Sequence, residues 1–309
     1  MYVFIINPAA GNGRGEQIVQ DFIKRQGDFQ KQYRTYYSQY PGHAKELASQ
    51  IARLHQDKIQ LLFVVGGDGT LYEVLNGLKH DRDIPISFIP VGSGNDFARG
   101  CMTSLNPKVN LRQSIDELLL KPYWFGQYVM DLNPKNKSKL FASSIGFGFD
   151  AEVAERVNAS KMKAWFNRLR LTFLIYVIGL IMTIFTFKPK DIELNIDGNS
   201  KTLSNVWMIT INNHPYFGGG MKIAPDANIN PHTFHVTIVK DMSKWKILLL
   251  FVTVFFGKHT SLKEVETLPC SSIGLKSEKP LTYHADGFTS SCYQSRIEKE
   301  LGARQVIRK

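Results

Sequence analysis

The sequence predicts an α/β chain in two parts, a doubly wound N-terminal domain over residues 1–123 and a mainly β C-terminal domain over residues 124–295. Three observations predict it. Apolar runs at residues 2–6, 59–65 and 86–90 have the texture of strands covered on both faces. Each runs directly into a glycine-bearing polar loop, and helical periodicity fills the segments between them, as in a parallel sheet with crossover helices. From about Trp124 onward, alternating strand-like runs replace that rhythm. A chain of 309 residues has room for two buried cores.

Taken in order, the run at residues 2–6 is cut by Asn7-Pro8 and lacks a basic flank, so it is expected as a buried strand and not as a leader peptide. A helix follows through Ile18, Phe22 and Ile23, then a strand at residues 32–37. Residues 42–55 read as a helix with Ala44, Leu47, Ala48 and Ile51 inward. Residues 71–78 give the helix after the second glycine loop. In the C-terminal part, strands are expected at 141–144, 191–196, 206–212, 234–239 and 281–284, with apolar helices near 165–187 and 244–257. Residues 296–309 are expected to return to the first domain. The uncharged run at 171–187 has 17 residues. As a helix it would measure about 25 Å against the roughly 30 Å of a hydrocarbon core. It is therefore read as a helix that is buried or lies on a bilayer, not as a span.

A formal charge of +11 suits an anionic partner such as a nucleic acid, an acidic membrane or a polyphosphate. The basic residues are dispersed and form no recognised nucleic-acid module, so nucleic acid is not expected. Cys101, Cys270 and Cys292 form no CxxC pair, which fits a reducing, cytoplasmic setting. His232 and His235 have no third ligand at zinc spacing.

The three loops carry the chemistry. In Gly66-Gly67-Asp68-Gly69-Thr70, missing side chains let backbone N–H groups approach phosphate closely. Asp68 adds a carboxylate able to hold Mg²⁺, and Thr70 a hydroxyl near a helix start. The loop lacks the Gly-Lys-Ser/Thr of a Walker A motif. In the first loop, residues 7–15, Asn7 is a candidate for ribose or phosphate and Arg14 for phosphate oxygens. The third loop offers Gly92, Ser93, Gly94 and Asn95. Any one of these is also a plain tight turn. Three at three strand ends converge.

GGDGTLYEVLNGL, PVGSGNDFAR and YFGGGMKIAPDA together resemble the diacylglycerol kinase catalytic-domain family, as do the early Asn7-Pro8 and SQYPGHAKELA. GGDGT alone is shared with NAD kinases; the second and third motifs tilt toward lipid kinases. The resemblance implies an α/β nucleotide-binding domain and a β-sandwich domain, with ATP and substrate meeting between them. It implies a nucleotide site lined by Asn7, Ser38, Gly66, Gly67, Asp68, Gly69, Thr70, Gly92, Ser93, Gly94 and Asn95. Asp286 takes the place of the general base, with Asp68 the other candidate catalytic acid. Asp150 falls where relatives contact the polar head of the lipid, and Arg170 is the best match in the basic stretch 156–170. The implied cofactors are ATP and Mg²⁺. The implied partner is a lipid, diacylglycerol or a similar alcohol, met by peripheral association with the inner membrane face.

Two departures stand out. Phe288 replaces the glutamate of the usual Asp-Gly-Glu, and Pro231-His232 replaces an Asp-Gly pair that helps bind a structural magnesium in relatives. They leave a nucleotide-binding, membrane-associated protein with little kinase activity as the alternative, and a soluble NAD kinase-like enzyme as a further one.

Overall fold

The computed structural model describes residues 1–26, 32–132, 137–160 and 172–309, which separate into two compact units. The first comprises Met1–Phe125, Gly218–Gly220 and Glu300–Lys309; the second comprises Gly126–Phe217 and Met221–Lys299.

The first unit is built on a six-stranded sheet. Strand β1 (Tyr2–Ile6) lies between β2 (Tyr33–Tyr37) and β3 (Leu61–Gly66), and β4 (Ile86–Pro90) follows β3, all parallel. The C-terminal strand Arg304–Ile307 is inserted next, parallel to β4 and antiparallel to the edge strand β5 (Leu120–Tyr123). Alternation along each strand sends side chains to both faces. Phe4, Ile6, Phe63 and Val65 share a core with Ile18 and Val19 of helix α1 (Arg14–Lys24). On the other face α2 (His43–His55) lies against α3 (Asp68–Gly77) so closely that a Cβ on Gly77 would fall 2.3 Å from the Lys45 carbonyl oxygen. Two short helices follow β4: α4 (Asp96–Gly100) and α5 (Pro107–Asp116), the latter started by the Asn106 side chain accepting from Lys108 N.

The C-terminal strand is locked by Arg304, which is wholly buried. Its guanidinium makes a two-pronged pair with Glu300 at 3.0 and 2.8 Å and donates to the Leu78 and Lys79 carbonyls at 2.8 and 2.9 Å. Those carbonyls close α3, where a cation is favoured by the helix dipole.

Because β1 to β4 are parallel, their carboxyl ends share one edge, and strand order reverses between β1 and β3. Ligands of doubly wound sheets bind outside such a reversal. The glycine loops after β1, β3 and β4 leave from that edge.

The second unit is a nine-stranded antiparallel system. After β6 (Gly126–Met130), β7 (Lys139–Phe141) and β8 (Ser144–Gly148) comes helix α6 (Phe149–Ala159). Helix α7 (Thr172–Thr186) leads to β9 (Lys190–Ile196) and β10 (Asn199–Asn212). A short hairpin, β11 (Tyr216–Phe217) and β12 (Met221–Lys222), precedes β13 (Phe234–Lys240), helix α8 (Lys244–Thr253) and β14 (Val265–Cys270). Two long strands, β15 (Ser272–Ala285) and β16 (Phe288–Lys299), close the unit. Strands β10 and β15 each change partner along their length, pairing with β9 in their first halves and with β8 in their second. Register shifts at Val206/Met208 and Lys276/Leu281 allow the change. The result is a sandwich-like fold in which the aromatic rings of Tyr128, Phe141, Phe234 and Tyr283 are buried. Helices α7 and α8 cover a second core around Trp207. No helix among the described residues is long and apolar enough to cross a membrane.

Candidate functional site

In the first unit the three turns interlock, and the glycines are what permits it. A Cβ on Gly66 would fall 2.5 Å from Thr70 Oγ1, and one on Gly92 would fall 2.6 Å from Gly67 Cα. Gly11 has φ +60° and no room against the Val91 carbonyl oxygen, 2.6 Å from a Cβ built there. Val91 N donates to Gly66 O at 2.9 Å, so the second and third turns are joined through their backbones. The first and second are joined by Asn7, whose Nδ2 donates to Thr70 Oγ1 at 3.0 Å while its Oδ1 accepts from Ala9 N. The Asn7 and Thr70 side chains thus shape the turns.

Asp68 opens α3. Its Oδ1 accepts from Phe97 N at 3.2 Å, and the N–H groups of Asn95 and Asp96 also face it. Burial pushes its carboxyl above the usual range against those hydrogen bonds. Asp96, not singled out from the sequence, is the second acid here. Its two oxygens accept from Gly219 N and Gly220 N at 2.8 and 2.7 Å. Burial and the neighbouring charge of Asp68 push Asp96 up as well, with Arg99 opposing. Between the two acids lies Gly94, where a Cβ would stand 3.0 Å from Asp68 Oδ2 and 3.7 Å from Asp96 Oδ2. Asn95 adopts a left-handed conformation with φ +57° and donates to Gly92 O, while its Oδ1 is buried with no hydrogen-bond partner among the described residues. One carboxylate on the second turn and one orphaned amide oxygen on the third are hard donors that suit Mg²⁺, which keeps several of its waters.

The remaining nucleotide candidates fall around the same edge. Ser38 follows β2 and its backbone N donates to Ile6 O at 2.9 Å. Ser93 and Gly69 are exposed, and a Cβ on Gly69 meets nothing within 4 Å. Arg14 is exposed in the first turn of α1.

In the second unit Asp286 sits at the β15–β16 turn with φ +46° and is buried. Its carboxylate accepts from the backbone N of Ala142, Ser143 and Ser144 at 2.5, 2.8 and 3.1 Å. Asp150, in the first turn of α6, pairs with His284 Nε2 at 3.0 Å, both buried. Gly146, opposite His284 in the sheet, makes space for the pair: a Cβ there would fall 2.0 Å from Asp150 Oδ2 and 2.5 Å from His284 Nε2. Asp150 Oδ1 is buried without a hydrogen-bond partner among the described residues. Arg170 lies outside the described residues.

Comparison with known proteins places these features in a family. The profile of the diacylglycerol kinase catalytic domain matches residues 1–121, and that of the YegS C-terminal NAD kinase beta sandwich-like domain matches residues 143–307. A Bacillus subtilis protein named "Putative lipid kinase YtlR" is 36% identical over 293 residues, covering 93% of this chain and 92% of its own. The chain belongs to the diacylglycerol kinase catalytic-domain family. A Mycobacterium tuberculosis protein named "Diacylglycerol kinase" is 28% identical over 252 residues, 80% of this chain and 76% of that one. A crystal structure from Bacillus anthracis, described as a "putative diacylglycerol kinase", superposes with a TM-score of 0.76 over 100% of this chain and 95% of that one. At 20% identity it supports the fold alone.

Two turns carry the residues expected to depart from the family pattern, Phe288 and Pro231-His232. Phe288 begins β16, and Lys139 Nζ lies 4.6 Å from the centre of its ring. Beside Pro231-His232, Asn230 Oδ1 accepts from the backbone N of His232 and Thr233 at 2.8 and 2.7 Å, closing that turn. Residues missed in the sequence are Asp96, His284 and a buried pair in which Lys299 Nζ donates to Asn213 Oδ1. Asp96 had a local signal, since it directly follows Asn95 in the same motif. The other partnerships join residues far apart in the chain.

Proposed function

We propose that this chain transfers the terminal phosphoryl group of ATP to the hydroxyl of a membrane lipid, diacylglycerol or a similar lipid alcohol. The observation that carries it is the meeting of Asp68, Asn95 and the interlocked glycine turns at one sheet edge. Phosphoryl transfer asks for positioning and charge neutralisation more than for covalent chemistry. The open backbone at Gly69 suits the phosphates, with Arg14, exposed in the first turn of α1, as a cation for their oxygens. Mg²⁺, when bound with the nucleotide, would neutralise phosphate oxygens, and Asp68 and Asn95 Oδ1 are the residues that would hold it.

Asp286 takes the proton of the acceptor hydroxyl as the oxygen forms its bond to phosphorus and ADP leaves. Three backbone N–H groups keep that carboxylate in one orientation, which is the preorganisation a base needs. Asp150 Oδ1, buried and without a partner among the described residues, would accept a hydroxyl from the lipid's polar head once the lipid enters, with His284 holding the other oxygen. The enzyme works from the cytoplasmic side, associated with the membrane without spanning it.

The test is incubation with γ-labelled ATP and Mg²⁺ in the presence of either phosphatidylglycerol vesicles containing diacylglycerol or NAD. Label extracted with the lipid is expected. Label confined to a water-soluble product, or ATP bound with no phosphorylated lipid across a broad panel, overturns the reading.

A further inference from the structure

A helix on the surface of a globular domain normally has an apolar stripe inward and a polar face outward. Helices α7 and α8 do not. Leu180 and Ile184 of α7 and Ile247 and Leu250 of α8 are buried in the core around Trp207. Facing outward on α7 are Ile178, Ile181 and Phe185, the last 61% exposed. On α8 and the turn that follows it, Trp245, Val252 and Phe256 are outward, at 74%, 58% and 73% exposed. The spacings of three, four and seven residues between them are those of one helical face. The two stripes adjoin, because Lys244 Nζ at the start of α8 donates to Phe185 O at the end of α7 at 3.1 Å.

Charge identifies the partner. Residues 242–263 include Lys244, Lys246, Lys258 and Lys263 and no acid, Lys246 being paired with Glu264, and residues 156–190 also contain no acid. Lys188, Lys244 and Lys258 are exposed beside the apolar stripes. Large apolar side chains bordered by cations, with a tryptophan among them, fit the headgroup boundary of an anionic bilayer. The lengths agree: α7 and α8 measure about 22 and 15 Å at 1.5 Å per residue, too short to span yet suited to lying in the interface.

We propose that this α7–α8 face docks the second unit into the surface of an anionic membrane. The proposal rests on the lipid-kinase reading for its purpose, since docking brings the enzyme to an acceptor that does not leave the bilayer. Its geometry is independent of that reading.

The test is sedimentation of the full chain with vesicles of equimolar phosphatidylglycerol and phosphatidylcholine, compared with vesicles of phosphatidylcholine alone. The wild type is expected to bind the anionic vesicles and to be released by high salt. Trp245→Ala and the double variant Phe185→Ser/Phe256→Ser are expected to lose about tenfold in vesicle affinity per aromatic ring removed. Their melting temperatures should stay within the wild-type range, because these rings are exposed. Activity on a short-chain diacylglycerol dispersed in detergent should be unchanged. Unaltered vesicle binding by both variants overturns the proposal. So does a wild-type dimer in solution that these substitutions dissociate, which makes the face a contact between two copies. Vesicle binding lost in the variants supports docking even where no lipid is phosphorylated, and that outcome removes only the kinase reading.

Discussion

Lys299 Nζ donates to Asn213 Oδ1 at 2.5 Å and lies 4.4 Å from the centre of the Phe234 ring. Asn213 passes the constraint on: its Nδ2 donates to Ala142 O at 2.7 Å and its backbone N to Ser143 O at 2.9 Å. The backbone N–H groups of that same segment, residues 142–144, hold the Asp286 carboxylate. A buried lysine thus braces the segment that positions the proposed base.

Burial pushes Lys299 down to about 7, with the nearby Cys270 thiol opposing the shift and no ion pair to a carboxylate among the described residues. The neighbouring His214 is pushed down to about 3, by burial first and then by the lysine charge. The unfolded chain holds the lysine proton up to about pH 10. Between about pH 7 and pH 10 the unfolded state therefore binds more protons than the native state, and stability contributed by this group rises with pH. The slope is at most about 1.4 kcal/mol per pH unit. Urea unfolding of wild type and Lys299→Met should show a stability difference that changes steadily across this window. Parallel curves for the two proteins would sink the idea.

Asp286→Asn tests the base, and the structure adds a cost to it. Asparagine tolerates the left-handed backbone of position 286, so the turn itself is not strained. One oxygen becomes an NH₂ facing the N–H donors of residues 142–144, an unsatisfied contact worth about 1–3 kcal/mol. Transfer is expected to fall at least about 100-fold, the scale of a lost general base. ATP binding should persist, and the melting temperature should drop. Calorimetric titration with nucleotide beside the kinetic assay separates these effects. Full transfer activity in the variant removes Asp286 from the reaction.

How legible this was in the sequence depended on how local each signal is. Strands β1, β3 and β4 are buried on both faces, so they appear as apolar runs, broken only by Ser87 in β4. Strand β10 showed only its second half, because its first half is largely exposed and polar and pairs with β9. Strand β5 reads Leu-Lys-Pro-Tyr, with a proline tolerated because the strand is at an edge. Arg304 looks like part of a solvated basic tail until Glu300 and two helix-end carbonyls are seen around it. In the site, glycine loops announced themselves by composition. The grip of Gly219 and Gly220 on Asp96, and of Asp150 on His284, spans more than a hundred residues and has no local pattern.

Gly146→Ala probes the Asp150–His284 pair without touching either residue. The new methyl has nowhere to go: it would fall 2.0 Å from Asp150 Oδ2, so the pair must separate. Overpacking of this kind costs about 1–3 kcal/mol. With Asp150 as a contact for the lipid head, KM for the lipid should rise several-fold while KM for ATP stays constant. Equal changes in both constants would mean that the pair serves stability alone.

Asp96→Asn separates the two acids at the nucleotide turn. In the wild type each carboxylate is held up by burial, and Asp96 further by the charge of Asp68. Asp96 is raised to about 7 because Asp68 is charged before it, so asparagine at position 96 removes that later titration and leaves the ionisation of Asp68 in place. Asparagine also turns an NH₂ toward Gly219 N or Gly220 N, which loosens that turn by about 1–3 kcal/mol. Two effects are therefore expected in one variant: a lower melting temperature in acid, where the stability contributed by Asp96 and its contacts to Gly219 and Gly220 is complete in the wild type, and Mg²⁺-dependent nucleotide binding without the change that the wild type shows near about pH 7. Titrations across that range decide it. A step near about pH 7 that survives in the variant would belong to another group and remove Asp96 from the account.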